Sequence, residues 1–219
     1  MSSRFFTIRA LAHIVAAGVI VACAAGPARA ADADNAEGDR IFGVLPNYTT
    51  FETTRVPQET TRESFKMATL GTFDPVMYPF IGVMTALGSG SSGQPYGERY
   101  AVAFADNAIG NFMTTAIVPS LTGEDSRYYR RGEGGLFSRL AYAASRSVVT
   151  RTRSGAVTFN ISEVAGTASA AGLSNIYYSP ADRTAGGTLA RWGTQVMWDT
   201  VANELKEFWP DVRAKLHHR

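Results

Sequence analysis

The chain has 219 residues, 45% hydrophobic and 18% charged, long enough to bury a core without cross-links. Its formal charge of +2 includes Arg4, Arg9 and Arg29; without residues 1–30, 18 basic side chains face 19 acidic ones, and 18 − 19 = −1 excludes a strongly basic nucleic-acid-binding domain. Cys23 is the single cysteine and no histidine lies between His13 and His217, which excludes a disulfide framework, a Ser-His-Asp triad, a Cys-His pair and the usual histidine-rich metal sites.

Arg4 and Arg9 precede an apolar run from Ala10 to Ala22 and a small-residue segment ending Ala28-Arg29-Ala30, the layout of a secretory signal peptide in residues 1–30. The preferred cleavage follows Ala30. Ile20-Val21-Ala22-Cys23 also resembles a lipobox, which would make Cys23 a lipidated first residue. Export to the periplasm or the envelope surface is expected either way. Residues 31–40 carry four acids and read as a disordered leader. From Ile41 to Val56, Pro46 and four threonines break any helical rhythm, and an extended arm or short strand is expected.

Thr60 and Glu63 match a capping box, predicting a helix to about Leu70. Asp74-Pro75 repeats the signal with a carboxylate cap and a proline in the first turn, opening a helix from Val76 to about Leu87. The Gly- and Ser-rich run 88–93 is a loop. Ala101, Phe104, Ala105, Ala108, Ile109, Phe112, Met113 and Ala116 hold a three-four spacing through a central helix from Tyr96 to Val118, ended by Pro119. Asp106, Asn107 and Asn111 lie in its middle and must be hydrogen-bonded if buried.

Seven arginines fall between Arg127 and Arg153, with Glu133 alone against them after Asp125. Arg139, Arg146 and Arg153 recur every seven residues, so on one helix each lies about 20° from the last. Phe137, Leu140, Ala141, Ala144 and Val148 fall on another face. Together with Arg127, Arg130 and Arg131 of the preceding glycine-broken loop, these arginines are the anion-binding candidates. Ion pairing with Asp106, Glu163, Asp199 or Glu204 is the competing expectation. Asn160 and Glu163 cap a small-residue helix from Ile161 to Tyr178. A last long helix runs from Gly187 to Phe208, and Pro210 is expected to start a separate turn to Leu216. Residues 217–219 read as a frayed tail.

The segments DNAIGNFMTTAIVPSL, DSRYYRRG, FNISEVAG, WGTQVMWD and KEFWPD, spread over residues 106–211, resemble an uncharacterised family of exported bacterial proteins. That resemblance implies export and brings no activity. Leu173 to Tyr178, continued through Gly186-Gly187, is similar in cadence to the last motif of membrane phosphatidic-acid phosphatases. Asn175 stands where that family has arginine, Ala181 where it has histidine and Ala185 where it has aspartate, so the chemistry is lost even if the fold is shared.

The expectation is an all-α fold: one bundle-like helical domain of about five to six helices over residues 41–216, with an extended N-terminal arm. The expected function is a non-enzymatic envelope protein that binds anionic lipid head groups or a partner protein through its arginine face. No catalytic residue, metal or cofactor is assigned. Asp106, Asn107, Asn111 and Glu163 are the buried polar candidates. The alternatives are a membrane-embedded bundle or a carboxylate-dependent enzyme acting on an envelope lipid or glycan.

Overall fold

A computed structural model describes residues 40–41, 47–51, 57–87 and 94–217. The expected signal peptide, Cys23, residues 31–39 of the expected acidic leader and the expected loop 88–93 lie outside the described residues. Helices dominate, and six of them carry the architecture: α1 (Thr61–Thr72), α2 (Met77–Leu87), α3 (Tyr96–Thr122), α4 (Leu136–Ser145), α5 (Ile161–Ser174) and α6 (Ala185–His217). The fold is mainly helical rather than purely so. Strands β1 (Thr50–Phe51) and β3 (Tyr128–Tyr129) pair in parallel, while β2 (Glu124–Asp125), β4 (Val149–Thr152) and β5 (Val157–Phe159) form an antiparallel sheet in the order β2-β4-β5. The arm is thus tied to the domain through β1, and Arg40 at its start pairs with the buried Asp74 at 2.7 Å.

Local chemistry sets most helix starts. The Thr60 hydroxyl accepts from the Glu63 amide, and the Glu63 carboxylate accepts from the Thr60 amide at 2.7 Å, closing the capping box of α1. Asp74 accepts from the Val76 amide at 2.9 Å just ahead of α2. Asn160 caps α5 through the Glu163 amide at 2.8 Å. The buried Glu124 carboxylate adds a charge there, accepting from the amides of Ile161 at 2.9 Å and Ser162 at 2.8 Å.

Two helices run past prolines that were expected to break them. In α3 the residues Met113–Ile117 form a π turn, and the helix continues through Pro119 to Thr122, where Gly123 at φ 73° ends it. A wider turn accommodates a proline that has no amide hydrogen to give and would crowd the carbonyl one turn back. In α6 Pro210 sits inside one continuous helix to His217. The neighbouring Glu207 carbonyl finds other donors, accepting from Arg130 Nε at 3.0 Å and Arg139 Nη2 at 2.7 Å.

The expected arginine helix is shorter than its heptad spacing suggested. α4 ends at Ser145, and Val148, Val149, Thr150 and Thr152 supply the β-branched residues of a hairpin turned by Gly155 at φ 90°. Arg139, Arg146 and Arg153 therefore do not share a helix face. The orientation of α4 is also inverted: Arg139 and Ala143 are its buried residues, whereas Leu136 and Phe137 are 60% and 84% exposed.

α5 packs against both α6 and the π turn of α3. Its small residues permit the approach, since a Cβ on Gly166 would lie 3.3 Å from the backbone of Met113. Gly166→Leu is expected to cost about 1 to 3 kcal/mol in a urea titration, because the backbone it meets cannot swing aside.

Candidate functional site

Three of the six sequence-predicted arginines, Arg127, Arg130 and Arg139, are ion-paired with acids of this chain. Arg139 Nε donates to the fully buried Glu207 at 2.8 Å and Arg139 Nη1 to Asp211, while Arg130 Nη2 donates to Asp211 at 2.7 Å. Glu207 also accepts from Tyr128 Oη at 2.9 Å and from the amides of Arg131 and Gly132, each at 3.0 Å. Burial pushes its carboxyl up, but these donors outweigh that and hold it below the usual carboxylate range. Arg127 pairs with Asp125 at 2.6 Å and stacks over Phe51. The partners are Glu207, Asp211 and Asp125, none of the four acids expected.

Arg131, Arg146 and Arg153 have no acid within 4 Å among the described residues. Arg131 is exposed, with its guanidinium 5.9 Å from the Tyr142 ring centre. Arg146 covers the same ring at 4.6 Å. Arg153 reaches from the hairpin turn to Thr61 Oγ1 at 3.1 Å.

The buried polar candidates lead elsewhere. A cavity of 1120 Å³ is lined by residues of all six helices and by the hairpin strand β4, and Asp106, Asn107, Asn111 and Glu163 all border it. Asn111 is satisfied, donating to Ala68 O at 2.9 Å and Thr72 Oγ1 at 2.8 Å. Asp106 accepts from Tyr177 Oη at 2.6 Å and Tyr178 Oη at 2.5 Å; burial raises its carboxyl pKa and these two hydroxyls oppose the rise. Asn107 Oδ1 and Glu163 Oε1 are buried with no hydrogen-bond partner. Unpartnered acceptors on a cavity wall are open valences for a guest or for water.

The wall from α1 and α2 is apolar and rich in methionine: Met67, Met77, Phe80, Ile81, Met84 and Leu87. Flexible thioether side chains of this kind adapt to guests of varied shape. The wall from α5 and α6 is mixed and holds Glu163, Asp199 and Lys206 among apolar residues such as Trp198 and Leu205. Burial first, then the charge of Asp199 to which it is hydrogen-bonded, pushes the Glu163 carboxyl up to about 9. Burial likewise raises Asp199, opposed by Lys206 and by the Glu163 hydrogen bond. Each of two adjoining carboxyls makes the ionisation of the other less favourable. Burial lowers the Lys206 pKa, resisted by the same two acids.

Lys206 was not singled out in the sequence, although Asp199 and Lys206 lie seven residues apart on one predicted helix and so share a face. Its place opposite Glu163 depends on α5 packing against α6, which no local spacing encodes. Among the described residues, no group of three or more His, Cys, Asp or Glu side chains is arranged to hold a metal. No family model, curated protein or solved structure matches the chain.

Proposed function

We propose that the protein is a non-enzymatic, exported component of the bacterial cell envelope that binds one amphiphilic molecule in its cavity while resting against a membrane. The cavity carries this reading: its space suits a hydrocarbon chain, one wall is apolar and the opposite chemistry, with the unpartnered Asn107 and Glu163 oxygens, suits a polar head. Attachment to the membrane is apolar more than electrostatic. α4 turns Leu136 and Phe137 outward, and the hairpin adds Val157 and Phe159 at 68% and 55% exposure, whereas Arg127, Arg130 and Arg139 are committed to internal acids.

Organic extraction of protein purified from its own envelope tests the reading. Release of an amphiphile in near-stoichiometric amount supports it, and a protein that carries none and takes up none argues against it. Intact mass in the same experiment reports export: a chain starting at Ala31 fits signal cleavage, and an acylated chain starting at Cys23 fits a lipoprotein.

For vesicle attachment, Phe137→Ser is expected to weaken flotation several-fold, with little change when salt is raised. Exposed charges would be screened over about 8 Å at physiological ionic strength. Loss of attachment on adding salt, with no effect of Phe137→Ser, would restore the arginines as the contact.

One observation favours a second reading, a carboxylate-dependent enzyme acting on an envelope lipid or glycan: the Glu163 and Asp199 carboxyls both line the cavity, and burial raises the pKa of each. Turnover of a lipid ester or glycoside that Glu163→Gln abolishes would establish it.

A further inference from the structure

We infer that the amphiphile of the cavity carries an oxyanion at its polar end, a phosphate or a carboxylate, which Arg146 and Lys206 hold beside the paired rings of Tyr128 and Tyr142. This rests on the reading of the cavity as an amphiphile site and adds the chemistry of the head group.

The two rings form a fixed platform. Their centres lie 6.4 Å apart, edge to face, and both hydroxyls are spent inside the protein: Tyr128 Oη donates to Glu207 at 2.9 Å and Tyr142 Oη to the Tyr129 carbonyl at 2.7 Å. The ring faces remain, and cations sit against them. The Arg146 guanidinium carbon is 4.6 Å from the centre of Tyr142, and Lys206 Nζ is 6.0 Å from the centre of Tyr128. Both rings, Arg146 and Lys206 line the cavity. Arg131, which is exposed, adds a third cation 5.9 Å from the centre of Tyr142.

These cations are not neutralised where they stand. Among the described residues no acid lies within 4 Å of Arg131, Arg146 or Lys206. The Arg146 guanidinium meets a hydroxyl instead, donating to Ser145 Oγ from Nε at 3.3 Å and from Nη2 at 3.1 Å. Arg127, Arg130 and Arg139, by contrast, each reach an acid at 2.6 to 2.8 Å and so hold the fold together. A guanidinium fork and an ammonium with donors to spare match the several oxygens of a phosphate or carboxylate.

The acids of the cavity wall do not take that place. Asp125 is paired with Arg127, and Asp106 accepts from Tyr177 and Tyr178. Glu163 and Asp199 act on Lys206 from beyond ion-pairing distance, and burial, by raising the pKa of both, weakens the negative charge they set against an anion. A cationic head group would have to seek those two acids.

The full mature chain is titrated by calorimetry with dodecyl phosphate, dodecanol, dodecyltrimethylammonium and inorganic phosphate, each below any micelle-forming concentration. Dodecyl phosphate is expected to bind at least about tenfold more tightly than dodecanol, through charge-assisted contacts that the alcohol cannot make, and inorganic phosphate more weakly than dodecyl phosphate because it lacks the chain. Arg146→Gln and Lys206→Gln should each weaken dodecyl phosphate several-fold and leave dodecanol within about twofold, a split that a merely structural role would not produce. If Lys206→Gln does not fold, Arg146→Gln decides alone. Equal binding of dodecyl phosphate and dodecanol, or tighter binding of dodecyltrimethylammonium, overturns the oxyanion and leaves the amphiphile site standing. Tight dodecyl phosphate binding that neither substitution weakens overturns the roles of Arg146 and Lys206. Binding of inorganic phosphate alone, with none of the dodecyl compounds, removes the amphiphile and keeps the two cations as an oxyanion site. If nothing binds, both readings fail.

Discussion

Arg139→Gln is expected to cost about 3 to 5 kcal/mol of unfolding free energy. The substitution strands Glu207, whose side chain is fully buried and is ion-paired with Arg139 at 2.8 Å. It also removes a donor to the Glu207 carbonyl and the stacking of a guanidinium 4.5 Å from the Phe208 ring centre. Arg146→Gln makes the control. Arg146 hydrogen-bonds Ser145 and covers Tyr142, contacts worth about 0.5 to 1 kcal/mol, so the two variants should separate clearly in urea titrations. Acid sensitivity provides a second readout. The Glu207 pKa is lowered by folding, so its contribution is present above the ordinary carboxylate value and is lost as pH falls through the folded value. That part of the acid limb should be missing in Arg139→Gln.

Glu163→Gln is expected to act in the opposite direction. The folded-state pKa of Glu163 is raised from near 4.5 to about 9, so the native chain holds a proton that the unfolded chain has released throughout that window. Such a group gives its full stability below pH 4.5 and loses it as pH rises towards about 9. Glutamine keeps the shape and has no proton to lose. Relative to the parent, the variant should gain stability from pH 5 upward by at most about 1.4 kcal/mol per pH unit. Asp199 and Lys206 face the same position, and their own titration enters both curves, so the difference between variant and parent is the quantity to measure. Parallel curves from pH 5 to 9 would mean that Glu163 is ionised in the folded protein.

The helix starts were legible because a cap is a local event. Thr60 with Glu63, Asp74 ahead of Val76, and Asn160 with Glu163 each satisfy amides within three residues. Helix ends were less so. Pro119 and Pro210 read as terminators because a proline forbids one hydrogen bond, but α3 continues past Pro119 after a π turn and α6 runs on through Pro210. The arginine heptad failed for a related reason. A spacing of seven marks a shared face only while the helix lasts, and the β-branched run after Val148 pairs with β5 instead.

At the site, composition pointed to Asp106, Asn107, Asn111 and Glu163 as buried polar groups, and all four border the cavity. The arginines were singled out by charge density, yet Glu207 and Asp211 become their neighbours only through the packing of α4 on α6, whereas Asp125 lies two residues before Arg127 in the chain. Lys206 was invisible on its own: one lysine on an amphipathic helix looks like any solvated side chain until the helix facing it is known.

The claim that the cavity is a ligand site is tested most directly by filling it. Ala202 of α6 lines the cavity and is half-buried, so Ala202→Trp projects an indole into the space without replacing a core side chain. Calorimetric titration of parent and variant with dodecanol, alongside melting curves for both, gives the answer. The account predicts saturable binding of one molecule by the parent and a loss of at least about tenfold, or 1.4 kcal/mol, in a variant that melts like the parent. No binding by the parent, or equal binding by a folded Ala202→Trp, would contradict it.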